Sequence, residues 1–198
     1  MCSKLLVLTV MISAAMLALS ATDQDLARRL ADQRTRRSTV AEIAASGNRW
    51  VPLLVSWTQT PPPGVDRYQL YLGLADTFAE MRTKEAIPFL VKNLSLSRTA
   101  PADFAPWLKR PVTIEDTFPM AAALIAIGRE AADPLIRASR QAMLPEDRVI
   151  AIFVIARMLH RNQDIPAARS YLSSALGQAN QERYWAQEGL KLLNERSR

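Results

Sequence analysis

The chain has 198 residues, a length typical of one ordinary domain or one short array of repeats, and enough to bury a substantial core. Its single cysteine, Cys2, and its single histidine, His160, argue against disulfides, a thiol nucleophile and a zinc site. The formal charge of +6 permits an acidic partner, a membrane surface or nucleic acid, and selects none of them.

The N-terminus carries the pattern of a secretory signal. A positively charged start is followed by an uncharged apolar run, Leu5–Leu19, and small residues then fit a cleavage site before Ala21. We predict a signal peptide at residues 1–20 and an exported protein, periplasmic or extracellular, whose charge after cleavage falls by one to +5. The run is short for a membrane-spanning helix, but an uncleaved membrane anchor formed by the same run is the alternative.

Residues 21–37 are predicted to form one charged helix that caps the end of a repeat array, because only a narrow apolar stripe runs along it. Its basic cluster, Arg34, Arg36 and Arg37, is open to two interpretations: a solvated face, or a site for anions or lipid headgroups. The segment Thr39–Glu42 then fits a capping box, which predicts that the next helix begins there.

Four prolines recur at equivalent places, each predicted to lie at the start of a helix: Pro52, Pro88, Pro134 and Pro166. Each follows a turn that closes an apolar helix, so the repeating unit is a pair of helices. In the most regular unit, an apolar helix runs from Phe118 to Ile127 and turns at Gly128. Asp133 is then predicted to cap the second helix, which Pro134 opens.

An irregular stretch at residues 96–116 interrupts this rhythm with three prolines and Trp107. We interpret it as an insertion between two helix pairs, and long ordered loops often carry function. Trp107 is the best candidate for an exposed anchor that contacts a partner, since aromatic side chains supply much interface energy. The alternative is a loop fastened to its own protein by this tryptophan.

The proline-led units resemble HEAT repeats of the short bacterial kind, in which an inner helix begins with proline and two aliphatic residues. The resemblance implies an all-α fold, an α-solenoid of about four to five helix pairs over residues 38–198. The chain departs from the pattern in its uneven spacing and in the absence of glycine at the second and fourth turns, near Arg82 and His160. A tetratricopeptide array is the alternative, and only Leu72-Gly73 hints at its motif.

No residue pattern points to catalysis. A Ser/His/Asp arrangement or a glycine-rich phosphate loop is not found in a chain with one histidine and six glycines. The acidic pairs Glu115-Asp116 and Glu146-Asp147 precede predicted helices, where capping explains them. We therefore predict no enzyme, no cofactor and no metal site.

A basic strip is predicted along the inner helices. Its members follow the repeated prolines by three or four residues, or lie one turn further: Lys92, Arg137, Arg140 and Arg169. Inner helices line the concave face of HEAT-like arrays, so such a strip suits an acidic protein segment or phosphates. The alternative is a solvated polar face.

We predict a non-catalytic scaffold that binds a protein partner through its concave face or through the 96–116 loop. One alternative is a nucleic-acid-binding protein with a basic groove, as in certain DNA glycosylases of similar architecture, although the export signal opposes it. The other is an accessory subunit of an enzyme, like the HEAT-like lyases that attach bilins. A membrane contact is expected only through an uncleaved N-terminal segment.

Overall fold

The fold is all-α, as the sequence predicts. The computed structural model describes residues 22–98, 114–141, 143–161 and 165–177, and parts of a last helix at 182–184, 186–187 and 190–191. Within these ranges all regular secondary structure is helical and no β-strand occurs. The predicted signal segment and Trp107 lie outside the described residues.

The helices are, in chain order, α1 (22–31), α2 (Arg36–Ala45), α3 (Val51–Gln59), α4 (Arg67–Met81), α5 (Ile87–Lys92), α6 (Ile114–Thr117), α7 (Pro119–Ile127), α8 (Arg129–Ser139), α9 (Pro145–His160), α10 (Pro166–Ala175) and α11, described at 182–184, 186–187 and 190–191. Short 3-10 turns, Gly47–Trp50 and Lys84–Ala86, lead into α3 and α5. The chain divides into two compact units, Met1–Leu74 and Ala75–Arg198. Among the described helices, none has the length and apolar character needed to cross a bilayer.

Two predictions are wrong in the first compact unit, Met1–Leu74. Residues 21–37 do not form one helix, because the chain turns after α1, where the Arg34 N–H donates to Asp32 Oδ1 at 2.9 Å. The next helix begins at Arg36, so the predicted capping box at Thr39 is wrong. Thr39 lies inside α2, and its hydroxyl donates to the Thr35 carbonyl at 2.9 Å instead of capping a helix end.

Buried Arg36 fastens this corner. Its Nε donates to the Leu30 carbonyl at 3.0 Å, and its Nη2 donates to the Ala31 carbonyl at 3.2 Å and to Gln69 Oε1 at 2.7 Å. A guanidinium carries five donors and suits the carbonyls left open at a helix C-terminus. Arg36 therefore joins the end of α1 to α4, which neither interpretation of the basic cluster anticipated, whereas Arg34 and Arg37 are exposed.

A close approach between α1 and α4 accounts for Gly73. A Cβ atom at this position would lie 2.4 Å from the Leu30 carbonyl oxygen, well inside contact distance. The Leu72-Gly73 pair that hints at a tetratricopeptide motif therefore has a packing role in this unit.

Three turns each contain a residue with a positive φ. Gly47, Arg82 and Gly128 have φ of 69°, 51° and 82°, and each precedes one of the repeated prolines by five or six residues. A left-handed residue after a helix is a common way to end it, and glycine adopts it without strain. Arg82 thus occupies the position at which the second turn lacks glycine. The fourth turn differs, since Arg161 has φ −80°.

The repeated prolines lie at the start of a helix, as the sequence predicts, in three of the four repeats. Pro52 and Pro88 are the second residues of α3 and α5, and Pro166 is the first residue of α10. The prediction is wrong for the third repeat, because α8 begins at Arg129 and Pro134 lies inside it.

The cause of this correction lies in the turn before α8. Gly128, and not Asp133, is the residue that precedes the helix. The residues after Gly128 continue directly into α8. In the repeat that contains Pro88, by contrast, the separate 3-10 turn Lys84–Ala86 precedes α5. Pro134 has no N–H to offer to the Glu130 carbonyl, so the helix lacks that bond.

In the second compact unit, Ala75–Arg198, the helices pack closely against one another. Helix α8, which contains Pro134, packs against both α5 and α10. Helix α7 packs against α5, α8 and α9, and α9 also contacts α8 and α10. The core of this unit includes Leu90, Leu124, Leu135, Ile155 and Leu172, all nearly or fully buried.

Candidate functional site

All four members of the predicted basic strip are exposed, and they lie on α5, α8 and α10 or directly after α8. Lys92 ends α5, Arg137 lies on α8, Arg140 follows α8, and Arg169 lies on α10. Their exposure agrees with both interpretations of the strip, a partner surface and a solvated face. Two cavities lie beside α8, and each is lined by one residue of the strip.

The first cavity, which we call the α5–α8 groove, has a volume of about 470 Å³. It is lined by Lys84, Ile87, Pro88, Val91, Pro134, Arg137, Ala138 and Gln141. Residues three, four or seven apart share one face of a helix, so the spacing of these residues places one face of α5 opposite one face of α8. Five of the eight are apolar, and we call these five the apolar floor of the groove.

The charge of the groove is positive. Lys84 and Arg137 are exposed, and the lining contains no carboxylate. Neither cation forms an ion pair within the part of the chain that the structure describes. An apolar floor flanked by two free cations is complementary to a segment that carries apolar and acidic side chains.

The second cavity, which we call the α8–α10 pocket, has a volume of about 340 Å³. It is lined by Ser139, Arg140, Gln141, Arg148, Tyr171, Ser174, Ala175 and Glu182. The Arg140 guanidinium carbon lies 5.9 Å from the centre of the Tyr171 ring. This lining is mainly polar, unlike that of the groove.

Tyr171 titrates above the ordinary range of tyrosine. Burial raises the pKa of its phenol, and the nearby Glu182 carboxylate raises it further. A hydrogen bond with Ser139 and the charges of Arg140 and Arg148 act in the opposite direction, with a smaller total effect. The phenol therefore remains neutral at physiological pH and adds no negative charge to the pocket.

The structure separates residues that the sequence placed on one strip. Arg137 lines the groove and Arg140 lines the pocket, although they are only three residues apart, and Gln141 lines both cavities. Lys92 and Arg169 line neither of the two. Arg137 and Arg140 therefore belong to two chemically different surfaces, and the other two members of the strip belong to neither.

The lining residues that the sequence analysis did not anticipate include Lys84, Arg148 and Tyr171. Lys84 lies in the 3-10 turn before α5 and precedes Pro88 by four residues, so its position relative to the proline was a usable signal. Arg148 and Tyr171 reach the pocket only because α9 and α10 pack beside α8. No spacing in the sequence indicates that meeting.

In the acidic pair Glu115-Asp116, Glu115 has a role other than capping. Its carboxylate lies 3.2 Å from Arg157 and 3.6 Å from Arg161, so it joins α6 to α9. Glu146 and Asp147 lie in the first turn of α9, where the helix dipole favours them. In the described ranges, no three acidic, histidine or cysteine side chains gather closely enough to hold a metal ion.

Comparison of the chain with protein-family models, with curated proteins and with solved structures finds no match in any of the three. Its function is therefore inferred from the chemistry of its own residues. The α5–α8 groove offers apolar contact combined with positive charge, and the α8–α10 pocket offers polar and cationic groups.

Proposed function

We propose that the protein is an exported, non-catalytic helical scaffold that binds a protein partner in the α5–α8 groove. One observation carries this proposal: two packed helices form an apolar floor beside which Lys84 and Arg137 have no ionic partner in the described part of the chain. A groove of this kind suits an amphipathic segment better than a small polar substrate.

The proposed partner segment carries apolar side chains toward the floor and carboxylates toward the two cations. Exposed ion pairs contribute only about 0–1 kcal/mol each, so the apolar contacts supply most of the affinity. The charges select the acidic partner and speed its association. Lys92, exposed at the end of α5, extends the positive surface beyond the groove.

We also propose that the helix pairs are HEAT-like repeats. Support comes from the left-handed residues that precede three of the repeated prolines at similar distances, and from the neighbouring positions of α5, α8 and α10. Arg169 lies on the last of these helices and extends the same surface in this proposal. Trp107, outside the described residues, remains a proposed second anchor in the stretch predicted as a loop at 96–116, although its last three residues belong to α6.

Fluorescence anisotropy tests the proposal with two labelled peptides. One is a short amphipathic peptide of leucine and glutamate, and the other has glutamine at every glutamate. The full chain is expected to bind the first peptide several-fold more tightly, and added salt should remove the difference, because exposed charges are screened. A single-stranded oligothymidylate serves as competitor, and the nucleic-acid alternative predicts that it displaces the peptide.

Matched variants localise the interaction. Arg137→Gln should weaken binding of the acidic peptide about two- to fivefold, the expected contribution of one exposed ion pair. Arg37→Gln is the control, since Arg37 is an exposed arginine that lines neither cavity. Equal binding of both peptides, or equal loss in both variants, would contradict the proposed role of the groove.

A further inference from the structure

The α8–α10 pocket contains more cationic hydrogen-bond donors than its own residues use. We propose that it binds a compact oxyanion, a phosphate or a carboxylate group, between Arg140 and Arg148. The pocket is formed where the end of α8, the start of α9, α10 and the first described residues of α11 meet. This site is independent of the proposed partner groove, because neither arginine lines that groove.

Arg148 is held in position with one nitrogen to spare. Its Nε donates to Glu182 Oε1 at 3.0 Å, and its Nη1 donates to the Met143 carbonyl at 3.2 Å. These two contacts fix the plane of the guanidinium. Its Nη2 donates to no atom of the described residues, so a ligand would meet a donor whose orientation is already set.

Arg140 supplies the second guanidinium. It is exposed and lies over the Tyr171 ring, a contact that favours a cation. No ion pair or hydrogen bond of this guanidinium is found among the described side chains and backbone. With respect to the described residues, all its donors are therefore open to a ligand.

The hydroxyl groups of the pocket explain why the ligand should be an anion. Ser139 Oγ donates to the Ile136 carbonyl at 2.9 Å, and Ser174 Oγ donates to the Tyr171 carbonyl at 2.7 Å. Both hydroxyl protons are thus already used, and Ser139 is also hydrogen-bonded to the Tyr171 side chain, so neither serine offers a free donor to a ligand. The uncommitted donors in the pocket are then mainly the two guanidiniums, which bind oxyanions more strongly than neutral groups.

The charges of the lining agree with this assignment. Two arginines face one carboxylate, Glu182, which is already paired with Arg148. One positive charge is left over, on the side of Arg140. Phosphate and carboxylate both match the fork of a guanidinium, so their shared chemistry defines the ligand class.

Isothermal titration of the full chain with inorganic phosphate and, separately, with succinate tests the proposal. We expect saturable binding of at least one probe, and the tighter probe identifies the anion. Arg140→Gln should weaken that binding about ten- to a hundredfold, the usual effect of losing a charged hydrogen-bond partner. Glu182→Gln should strengthen it, because the substitution removes the one negative charge among the described lining residues.

Arg137→Gln is the matched control, since it removes an exposed arginine that lies three residues from Arg140 and lines the other cavity. It should leave phosphate and succinate binding unchanged while weakening the acidic peptide, whereas Arg140→Gln should affect the anions. Failure of the peptide experiment alone would therefore leave this site intact. Absence of saturable binding by both probes, or equal binding by the wild type and Arg140→Gln with unchanged thermal unfolding, would overturn the proposal.

Discussion

At the scale of single residues, several functions that the sequence could not assign depend on contacts between distant segments. Arg36 resembles the exposed arginines beside it in sequence, yet it is buried and binds carbonyl oxygens of α1 and the side chain of Gln69. Glu115 resembles a capping residue and instead pairs with α9. Such roles follow from packing, and neither local spacing nor residue type indicates them.

Arg82 provides a prediction at this scale. Its φ of 51° places an L-residue in the left-handed region, at a turn where the first and third units have glycine. That conformation costs about 1–2 kcal/mol, and glycine loses about 0.5–1 kcal/mol of extra backbone entropy on folding. Arg82→Gly should therefore raise the free energy of unfolding by about 0.5–1 kcal/mol in urea denaturation.

The reverse substitution in an equivalent turn is the control for Arg82. Gly47 has φ 69° and open space around its missing side chain, so Gly47→Ala tests backbone strain without a steric clash. It should lower the free energy of unfolding by about 1 kcal/mol. A destabilised Arg82→Gly variant would show that the Arg82 side chain outweighs the strain of its backbone.

At the scale of helices, the sequence predicts more. The apolar periodicity and the recurring prolines place most helix pairs and the start of three proline-led helices correctly. They fail at α8, because no local signal distinguishes a proline that opens a helix from one that lies a turn inside it. The division of the basic strip has a similar origin. Arg137 lies within α8, whereas Arg140 follows its last residue and lies over the Tyr171 ring, so the two arginines meet different neighbours.

Packing of α1 against α4 gives a prediction at the helix scale. A methyl group at Gly73 would meet the Leu30 carbonyl, a backbone atom that cannot rotate away. Gly73→Ala should lower the free energy of unfolding by about 1–3 kcal/mol, despite the gain of about 1 kcal/mol in helix propensity. Thermal and urea unfolding measure the change.

Gly177→Ala is the matched control for Gly73. A Cβ atom there would lie 3.6 Å from the Ser174 carbonyl oxygen, an ordinary contact. The substitution should leave the free energy of unfolding nearly unchanged. If both alanine variants were equally stable, the close approach of α1 and α4 would not be a constraint on position 73.

At the scale of the whole molecule, export is the prediction that limits the possible partners. The apolar run Leu5–Leu19 and the small residues before Ala21 lead us to expect a product that begins at Ala21 and lies outside the cytoplasm. Intact-mass measurement of cytoplasmic and envelope fractions checks this. A full-length product in the membrane would indicate an anchored scaffold, and a full-length product in the cytoplasm would contradict export.

The all-α class follows from the sequence, and the candidate site follows only in part. Arg137 was predicted from its distance to Pro134, and the structure places it beside an apolar floor that its spacing does not describe. The pocket residues Arg148 and Tyr171 come from α9 and α10, and their approach to α8 depends on the packing of the whole second unit. The chemistry of each cavity therefore emerges at the level of tertiary structure.

The most direct test of the partner groove is to map where the acidic peptide binds. Backbone amide NMR spectra of the full chain, recorded during titration with the leucine–glutamate peptide, report each contacted segment. We expect the largest shift changes at Val91, Arg137 and Ala138, which line the groove, and none along α2. Shift changes absent from the groove, or equally large with the glutamine peptide, would contradict a charge-selective partner site between α5 and α8.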